Sequence, residues 1–383
     1  MKKVVLPNYE RSTLNNMASV MKHYGVDTIY NSLPEVDAAL KKNYKNIVFM
    51  VCDGLGLDML NKNLATSEFL HQHLATHVTT VFPSTTTAAM TAYYAGISPN
   101  EHGWLGWSLY FKEYGRCIDT FLNTDSYTGE AILGESAADS LMPYDHVLDK
   151  IEVATHNKVT TYMIQPHYLT HRGKGACFGY ESEAQMCDKI TELCADENHN
   201  FIFVYDINPD KIMHPTGCYS PETKEALKKI NDYIKKIADA VEDTLIIVSA
   251  DHGLLNIKET LALNEYPDID ECFYMPPCVE KRAVSCFVKP EMRDVFKDRF
   301  EKHFGEQFIL FTREEVFEKQ LLGYGTPHPK TKDFIGDFLA CAIGDIMLDY
   351  VPKTANKKLE LAGMHAGLTF EEMVVPVIMV DKK

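Results

Sequence analysis

NIVFMVCDGLG, residues 46–56, is the stretch that decides the fold of this 383-residue chain. Asn46–Cys52 is an uncharged, almost wholly apolar run, which is typical of a strand buried on both faces of a parallel sheet. The strand is predicted to end at Asp53 and Gly54, a pair that favours a turn. A carboxylate therefore follows a buried strand directly, and the glycine beside it leaves room for a ligand.

Further strands are predicted along the chain, and helical segments alternate with them. The strand candidates are His77–Phe82, Val159–Ile164, Phe201–Tyr205, Thr244–Ser249 and Met373–Val380. The clearest helix runs from Ser220, a suitable N-cap, to Val241, with Pro221 in the first helical position. Strands that alternate with amphipathic helices predict a three-layer α/β/α sandwich with a mostly parallel, doubly wound sheet.

The pattern changes between Gly253 and His365. Arg282–Val288 and Phe308–Phe311 are predicted strands, and Glu291–His303 is predicted as the short amphipathic helix between them. We therefore expect a small inserted α+β cap. The predicted division is a core of residues 1–253 and 346–383, with residues 254–345 as the cap and its return segment.

Composition excludes some classes of partner. The net charge of -16 argues against nucleic acid polymers and anionic membrane surfaces, although bound metal ions would still allow a small anionic substrate. No stretch has the roughly 18 apolar residues of a membrane span, and MKKVVLPNYERSTLNN, residues 1–16, has no apolar core of signal-peptide length. Ten cysteines without a C-x-x-C pair favour reduced thiols. We expect a cytoplasmic monomer or homodimer.

Metal-ligating residue types recur where predicted strands end. Asp210 and His214 are spaced to lie on one helical turn, and Asp251 and His252 follow the buried run TLIIVSA. His365 stands among small residues in GMHAG. Loops at the carboxyl ends of strands form the ligand crevice of an open α/β sheet. Each motif also has an ordinary interpretation: a turn, a solvated side chain or a structural Asp–His hydrogen bond.

A group of hydroxyls supplies candidate nucleophiles. The segment FPSTTT, residues 82–87, opens a predicted helix that ends near Gly96. A hydroxyl at a helix N-terminus lies near the positive end of the helix dipole and near free N–H groups, which suit a phosphate oxygen. The alternative is an N-cap. These considerations do not choose among the four hydroxyls.

The motifs together resemble the type I phosphodiesterase and nucleotide pyrophosphatase branch of the alkaline phosphatase superfamily. FPSTTTAAMTAYYAGISPNEHG, residues 82–103, is similar to the nucleophile segment of that family. The family pattern P-D-x-x-x-H falls on 209–214, D-H-G on 251–253 and G-x-H on 363–365. The resemblance spans residues 53–365, most of the chain.

The resemblance implies a nucleophile, a metal content and a catalytic core. It places the nucleophilic threonine on Thr86. It implies two zinc ions, one held by Asp210, His214 and His365, the other by Asp53, Asp251 and His252 with Thr86. Manganese or iron also suits these nitrogen and oxygen ligands. Thr86 would attack phosphorus and form a phospho-threonine intermediate, which is then hydrolysed.

One departure from the family affects the substrate contacts. The family asparagine that holds a phosphate oxygen aligns with Trp107, and Asn100 is no obvious replacement. Trp104 and Trp107 are predicted to pack in the interior or to form an aromatic wall for a nucleobase or a quaternary ammonium group. Arg172, Lys174 and Lys330 are candidate contacts for an anionic substrate tail.

The function implied by the resemblance is hydrolysis of phosphate diesters or nucleotide pyrophosphate bonds in small molecules. The alternatives are a phosphonoacetate hydrolase-like activity, a phosphomonoesterase, and a binding protein that has kept the fold without catalysis. A sulfatase is disfavoured because the C/S-x-P-x-R motif is absent.

Overall fold

The computed structural model describes residues 3–351 and 360–383. In chain order the strands are β1 (Asn46–Cys52), β2 (Leu74–Thr79), β3 (Ser108–Phe111), β4 (Arg116–Asp119), β5 (Thr124–Asp125), β6 (Val159–Pro166), β7 (Ala176–Tyr180), β8 (His199–Asp206), β9 (Thr244–Ser249), β10 (Leu255–Asn256), β11 (Glu259–Ala262), β12 (Cys278–Val279), β13 (Ala283–Cys286), β14 (Phe308–Thr312), β15 (Phe338–Ala342), β16 (Ile346–Asp349), β17 (Gly363–Met364) and β18 (Val374–Lys382).

The helices connect these strands and cover the sheets. They are α1 (Thr13–His23), α2 (Pro34–Leu40), α3 (Leu57–Asn63), α4 (Phe69–Gln72), α5 (Thr86–Ala95), α6 (Pro99–His102), α7 (Ala137–Leu141), α8 (Val147–Ala154), α9 (Glu183–Ala195), α10 (Asp210–Thr216), α11 (Pro221–Ala240), α12 (Pro267–Asp270), α13 (Arg293–Phe304), α14 (Arg313–Glu318), α15 (Thr331–Phe334) and α16 (Phe370–Met373). Among the described residues, no helix combines the length and apolar character that crossing a bilayer requires.

The central sheet has the strand order β2-β18-β9-β1-β8-β6-β7. From β9 to β7 neighbouring strands are parallel, whereas β18 runs antiparallel to both β9 and β2. Every residue of β1 is buried, as its uniform apolar character predicts. In the ladder, Val51 of β1 pairs with Tyr205 on one side and Ser249 on the other. The carboxyl ends of β8, β1 and β9 therefore meet at one edge.

Helices form a layer on each face of this sheet, which confirms the predicted α/β fold. On one face, α11 contacts α3, α9 and α10. On the other face, α1 contacts both α2 and α5, and α5 in turn contacts α8. In α11, the Ser220 hydroxyl accepts the Thr223 N–H at 3.0 Å, as expected for an N-cap. Leu227 and Ile234 are fully buried against the sheet. Each contributes about 1.5–3 kcal/mol relative to an exposed position.

A second sheet has the strand order β14-β15-β13-β12-β3-β4-β5. Its strands come from two distant segments, since β3, β4 and β5 lie within residues 108–125 and β12 to β15 within 278–342. Val279 of β12 pairs with Ser108 of β3 and so joins them. The strands and the helix predicted for the cap are present, but residues 108–125, which lie outside the predicted cap, belong to the same sheet. The division at residues 254–345 stays a prediction.

A buried ion pair connects the second sheet to the loop that precedes β18. Arg282 and Glu372 are both fully buried, and the guanidinium donates to both carboxylate oxygens, at 2.7 Å and 2.9 Å. The same carboxylate accepts the Gly367 N–H at 2.8 Å. Paired hydrogen bonds of this kind fix geometry as well as charge. The loop that carries His365 is thereby attached to the second sheet.

We predict that Arg282→Met lowers the free energy of unfolding by about 3–5 kcal/mol, because it leaves the Glu372 charge buried without a partner. Urea unfolding followed by circular dichroism measures the loss. Lys235→Ala is the control: Lys235 pairs with Asp239 on the exposed face of α11, and its loss should leave the midpoint unchanged. A loss below about 1 kcal/mol in Arg282→Met would show that neighbouring N–H groups alone neutralise Glu372.

Candidate metal centre and active site

Three carboxylates meet at the carboxyl edge of the central sheet. Asp53 follows β1, Asp251 lies just beyond β9, and Asp210 opens α10 after β8. Asp53 is 3% exposed and Asp251 is fully buried. The Asp210 N–H donates to the Asp53 carbonyl at 3.0 Å, and the Asp251 carboxylate accepts the Gly54 N–H at 3.1 Å. The sheet register and these bonds hold three acidic groups together.

Histidines complete two groups of donors whose ligand atoms lie within 4.8 Å of one another. One group is Asp53, Asp251 and His252, as the sequence predicts. The other is Asp210, His252 and His365. His214 was predicted in this second set; its Nε2 lies 3.2 Å from Asp210 Oδ2, and its ring centroid is 5.3 Å from that of His365. All six predicted ligands thus lie in one cluster, with His252 shared between the groups.

The three imidazoles are oriented by the backbone. The Nδ1 atoms of His214, His252 and His365 lie 2.9, 3.2 and 3.1 Å from the carbonyl oxygens of Gly363, Gly253 and Ser84. A carbonyl can only accept, so each Nδ1 carries a proton, and in the neutral form of each ring Nε2 presents its lone pair to the cluster. This arrangement is typical of histidines that bind metal ions.

Each buried carboxylate keeps one oxygen free. Asp53 Oδ1, Asp210 Oδ1 and Asp251 Oδ2 have no hydrogen-bond partner among the described residues. The other Asp53 oxygen accepts the Tyr205 hydroxyl. Buried oxygens without partners are rare and need an explanation. A cation that they share with the imidazole nitrogens provides one, so the residues present fit a metal centre.

The pKa values of the three carboxylates also fit a bound cation. Burial, followed by the charges of Asp251 and Asp210, raises the pKa of Asp53 well above its usual range. Burial also raises the pKa of Asp251. At Asp210 the neighbouring imidazoles, His214 first, outweigh burial and lower the pKa to about 2. The Asp53 and Asp251 carboxylates therefore lack a full counter-charge from the protein.

Thr86 is the hydroxyl that reaches the donor cluster. It is the first residue of α5, and its Oγ1 lies 3.1 Å from His252 Nε2. The Ser84 hydroxyl donates to the Gly367 carbonyl at 2.8 Å, and the Thr85 hydroxyl donates to Glu280 at 2.7 Å. Thr87 Oγ1 is buried without a partner. The structure thus distinguishes the four hydroxyls, among which the sequence alone did not choose.

A cavity of about 1030 Å³ opens onto Thr86 and the donor cluster. Its wall includes Trp107, which is 40% exposed, together with the rings of Tyr94, Phe121 and Tyr168. Trp104, in contrast, is fully buried and donates its indole N–H to the Met142 carbonyl at 2.8 Å. Its position does not support the predicted substrate contact, because the ring packs inside the protein.

The three basic residues predicted to contact an anionic substrate tail differ in their position relative to the cavity. Arg172 lines the cavity, pairs with Asp139 at 2.6 Å and lies 5.0 Å from the Trp104 ring centroid. Lys330 instead forms ion pairs with Glu113 and Asp333, and Lys174 is exposed. Of the three predicted contacts for an anionic tail, Arg172 is the one that lines the cavity.

Sequence reasoning missed Glu280, a buried acidic residue of the cavity wall. It is 8% exposed, and its Oε1 accepts the Thr85 hydroxyl and the Trp107 N–H, each at 2.7 Å. Burial raises its pKa to about 7. In the sequence it stands in the charged run Glu280–Arg282, which is typical of a solvated turn, so nothing there signals its position.

This fold and donor set define a phosphoester hydrolase of the alkaline phosphatase superfamily. A family model described as type I phosphodiesterase / nucleotide pyrophosphatase matches residues 47–365, and the chain belongs to that family. The resemblance seen in the sequence motifs is confirmed. A comparison with curated protein sequences found no match.

Solved structures similar to this chain share its fold. Murine ectonucleotide pyrophosphatase / phosphodiesterase 5 has a TM-score of 0.64 and 16% identity, over 86% of this chain and 87% of that chain. An inactive form of it in complex with AMP gives the same figures. Phosphonoacetate hydrolase from Sinorhizobium meliloti 1021, in complex with phosphonoformate, has a TM-score of 0.63 and 13% identity over 87% and 89%.

We predict that Asp53→Asn stabilises the metal-free protein, by on the order of 1–3 kcal/mol, because it removes one of three clustered charges. The asparagine oxygen still accepts the Tyr205 hydroxyl. With Zn²⁺ added, the wild type should become the more stable of the two proteins, since it binds the cation more tightly. Scanning calorimetry with chelator and with Zn²⁺ measures both effects.

Asp298→Asn, an exposed change on α13, is the control and should shift neither transition. If Asp53→Asn lowered the melting temperature equally with and without Zn²⁺, Asp53 would have a structural role rather than a role in cation binding.

Proposed function

We propose that this protein hydrolyses phosphate diesters or nucleotide pyrophosphate bonds through a phospho-threonine intermediate on Thr86, at a site that holds two Zn²⁺ ions. Mn²⁺ or Fe also suits the donor set. The observation that carries the proposal is the pairing of three free carboxylate oxygens with an adjacent hydroxyl that faces a large cavity. One ion would be held by Asp53, Asp251 and His252 beside Thr86, the other by Asp210, His214 and His365.

The chain's own groups prepare Thr86 for attack. Its Oγ1 lies at the start of α5, where the helix dipole is positive and the first N–H groups have no partner within the helix. Two bound cations would supply charge for the phosphoryl oxygens and would lower the pKa of the hydroxyl. Thr86 Oγ1 then forms a bond to phosphorus as the bond to the leaving alcohol or phosphate breaks. Water hydrolyses the phospho-threonine in a second displacement.

The shape of the cavity supports a small-molecule ester as substrate. Aromatic rings of Trp107, Phe121 and Tyr168 lie on the wall around the cluster, and such rings suit a flat or apolar leaving group. We also propose that the protein acts in the cytoplasm as a monomer or homodimer. Its ten cysteines, all free thiols, suit a reducing compartment.

Thr86→Ala should lower kcat/KM by about a thousandfold or more, because it removes the attacking oxygen. Metal content, measured by atomic emission, should stay close to that of the wild type. Thr86→Ser retains a hydroxyl and should keep part of the activity. Thr87→Val is the matched control, since Thr87 Oγ1 makes no hydrogen bond and the exchange conserves shape. Near-normal turnover by Thr86→Ala would assign the nucleophile to another hydroxyl.

The class of ester is tested by comparing kcat/KM for bis(p-nitrophenyl) phosphate and p-nitrophenyl phosphate with zinc-loaded protein. We expect a preference for the diester. A preference for the monoester would make the protein a phosphomonoesterase, with the role of Thr86 intact. Turnover of phosphonoacetate alone would select that alternative, and metal-loaded protein inert toward all three would indicate a binding protein.

A further inference from the structure

Glu280 reaches the active site through an unusual backbone. Val279, directly before it, has φ 82, a conformation that a β-branched residue adopts only under constraint. A Cβ on Gly106 would lie 2.6 Å from the Val279 carbonyl oxygen, so a glycine is required where β12 approaches this loop. Both features bring the Glu280 side chain to Thr85 and Trp107, on the cavity wall. Strain of this kind is concentrated at functional sites.

The Glu280 carboxylate is buried, which raises its pKa, and it forms no ion pair with a Lys or Arg of the described residues, although the charges of Lys281 and His214 are near enough to lower that pKa in part. Its Oε1 accepts two hydrogen bonds, both from neutral groups. Neighbouring Lys281 is paired with Asp349 instead. Burial of such a carboxylate is costly. A cost of this size beside a reacting group calls for a role in the reaction or in substrate choice.

The position of this charge decides which ligands it affects. Thr85, which Glu280 contacts, directly precedes the proposed nucleophile Thr86, and all three residues line the cavity. A phosphoryl group bound at Thr86 would therefore lie close to the carboxylate. Because like charges repel strongly at short range in a partly buried site, each additional negative charge on the ligand weakens binding by roughly tenfold to a hundredfold.

We propose that Glu280 is a specificity-determining residue, whose negative charge beside Thr86 favours phosphoryl groups with a single negative charge, as in diesters, over dianionic phosphate monoesters. The inference rests on the proposed hydrolysis at Thr86 and adds to it the source of the charge preference. The backbone N–H of Trp107 donates to this carboxylate, which holds the charge on the cavity wall beside Thr85 and Thr86.

The test is Glu280→Gln, which removes the charge while Oε1 can still accept from Thr85 and Trp107. At pH 9 the wild-type carboxylate is ionised, since its pKa is about 7. We expect the ratio of kcat/KM for p-nitrophenyl phosphate to that for bis(p-nitrophenyl) phosphate to rise at least about tenfold. Inorganic phosphate, a dianion at this pH, should become a tighter competitive inhibitor by a similar factor relative to dimethyl phosphate, a monoanion.

Both readouts are ratios, so any effect of the substitution that is shared by the two ligands cancels. A residue that only positions Thr85 would lower both activities together and leave the ratios unchanged, which would overturn the proposal. Asp119→Asn is the matched control, because Asp119 lines the same cavity but accepts its hydrogen bond from Ser126, at 2.6 Å. An equal change of the two ratios in Asp119→Asn would also overturn the proposal, since the charge preference would then come from the cavity wall as a whole.

The two proposals fail in different ways. If wild-type protein loaded with Zn²⁺ cleaves neither ester, hydrolysis at Thr86 is wrong. If it cleaves the diester and Glu280→Gln keeps the wild-type ratios, the assignment of Glu280 is wrong and the hydrolysis stands.

Discussion

The constraint on which the rest of the structure depends is the gathering of three carboxylates at one edge of the central sheet, where Asp53 and Asp251 are buried and Asp210 is half-buried. Three carboxylates at this separation repel one another and lose the hydration that stabilises them in water. The protein meets part of the cost with a Tyr205 hydroxyl, backbone N–H groups and imidazoles, and leaves one oxygen of each carboxylate free. The parallel ladder and the short strand-end loops then resist the repulsion. Bound cations, as we propose, would convert this repulsive arrangement into a positively charged surface for a phosphoryl group.

The second sheet completes the site from the opposite side. The Arg282–Glu372 pair fixes the loop that delivers His365, and Glu280, two residues before Arg282, reaches Thr85 and Trp107. The same short segment therefore supports the loop of a candidate metal donor and shapes the cavity wall near Thr86. In the proposed mechanism the reacting groups come from the edge of the central sheet, whereas part of the wall around the substrate comes from the second sheet. This division is consistent with a family in which one core serves several esters.

Sequence periodicity predicts the buried elements well because burial leaves a strong signal. β1 and β9 begin and end where their apolar runs do, and α11 matches its predicted cap and length. The edge strand was predicted as His77–Phe82 but lies at Leu74–Thr79, because its exposed face interrupts the apolar pattern and Thr80 turns to bond the Asp251 carbonyl. The candidate metal ligands were predicted from strand ends and from the family resemblance, and the structure brings them together. Glu280 and the joining of residues 108–125 to the second sheet depend on contacts between distant segments, for which a single sequence carries no pattern.

The position of β18 in the central sheet has a consequence for biosynthesis. β18 lies between β9 and β2, so β2 has no place in the sheet until residues 374–382 have been made. His365 lies in the same late segment, and the pairing of β12 with β3 also waits for distant sequence. Such non-local contacts slow folding, since a large loop must close before any of them stabilises the chain. In the metal-loaded protein that we propose, complete coordination would therefore wait for His365, and cation binding would be one of the last events in maturation.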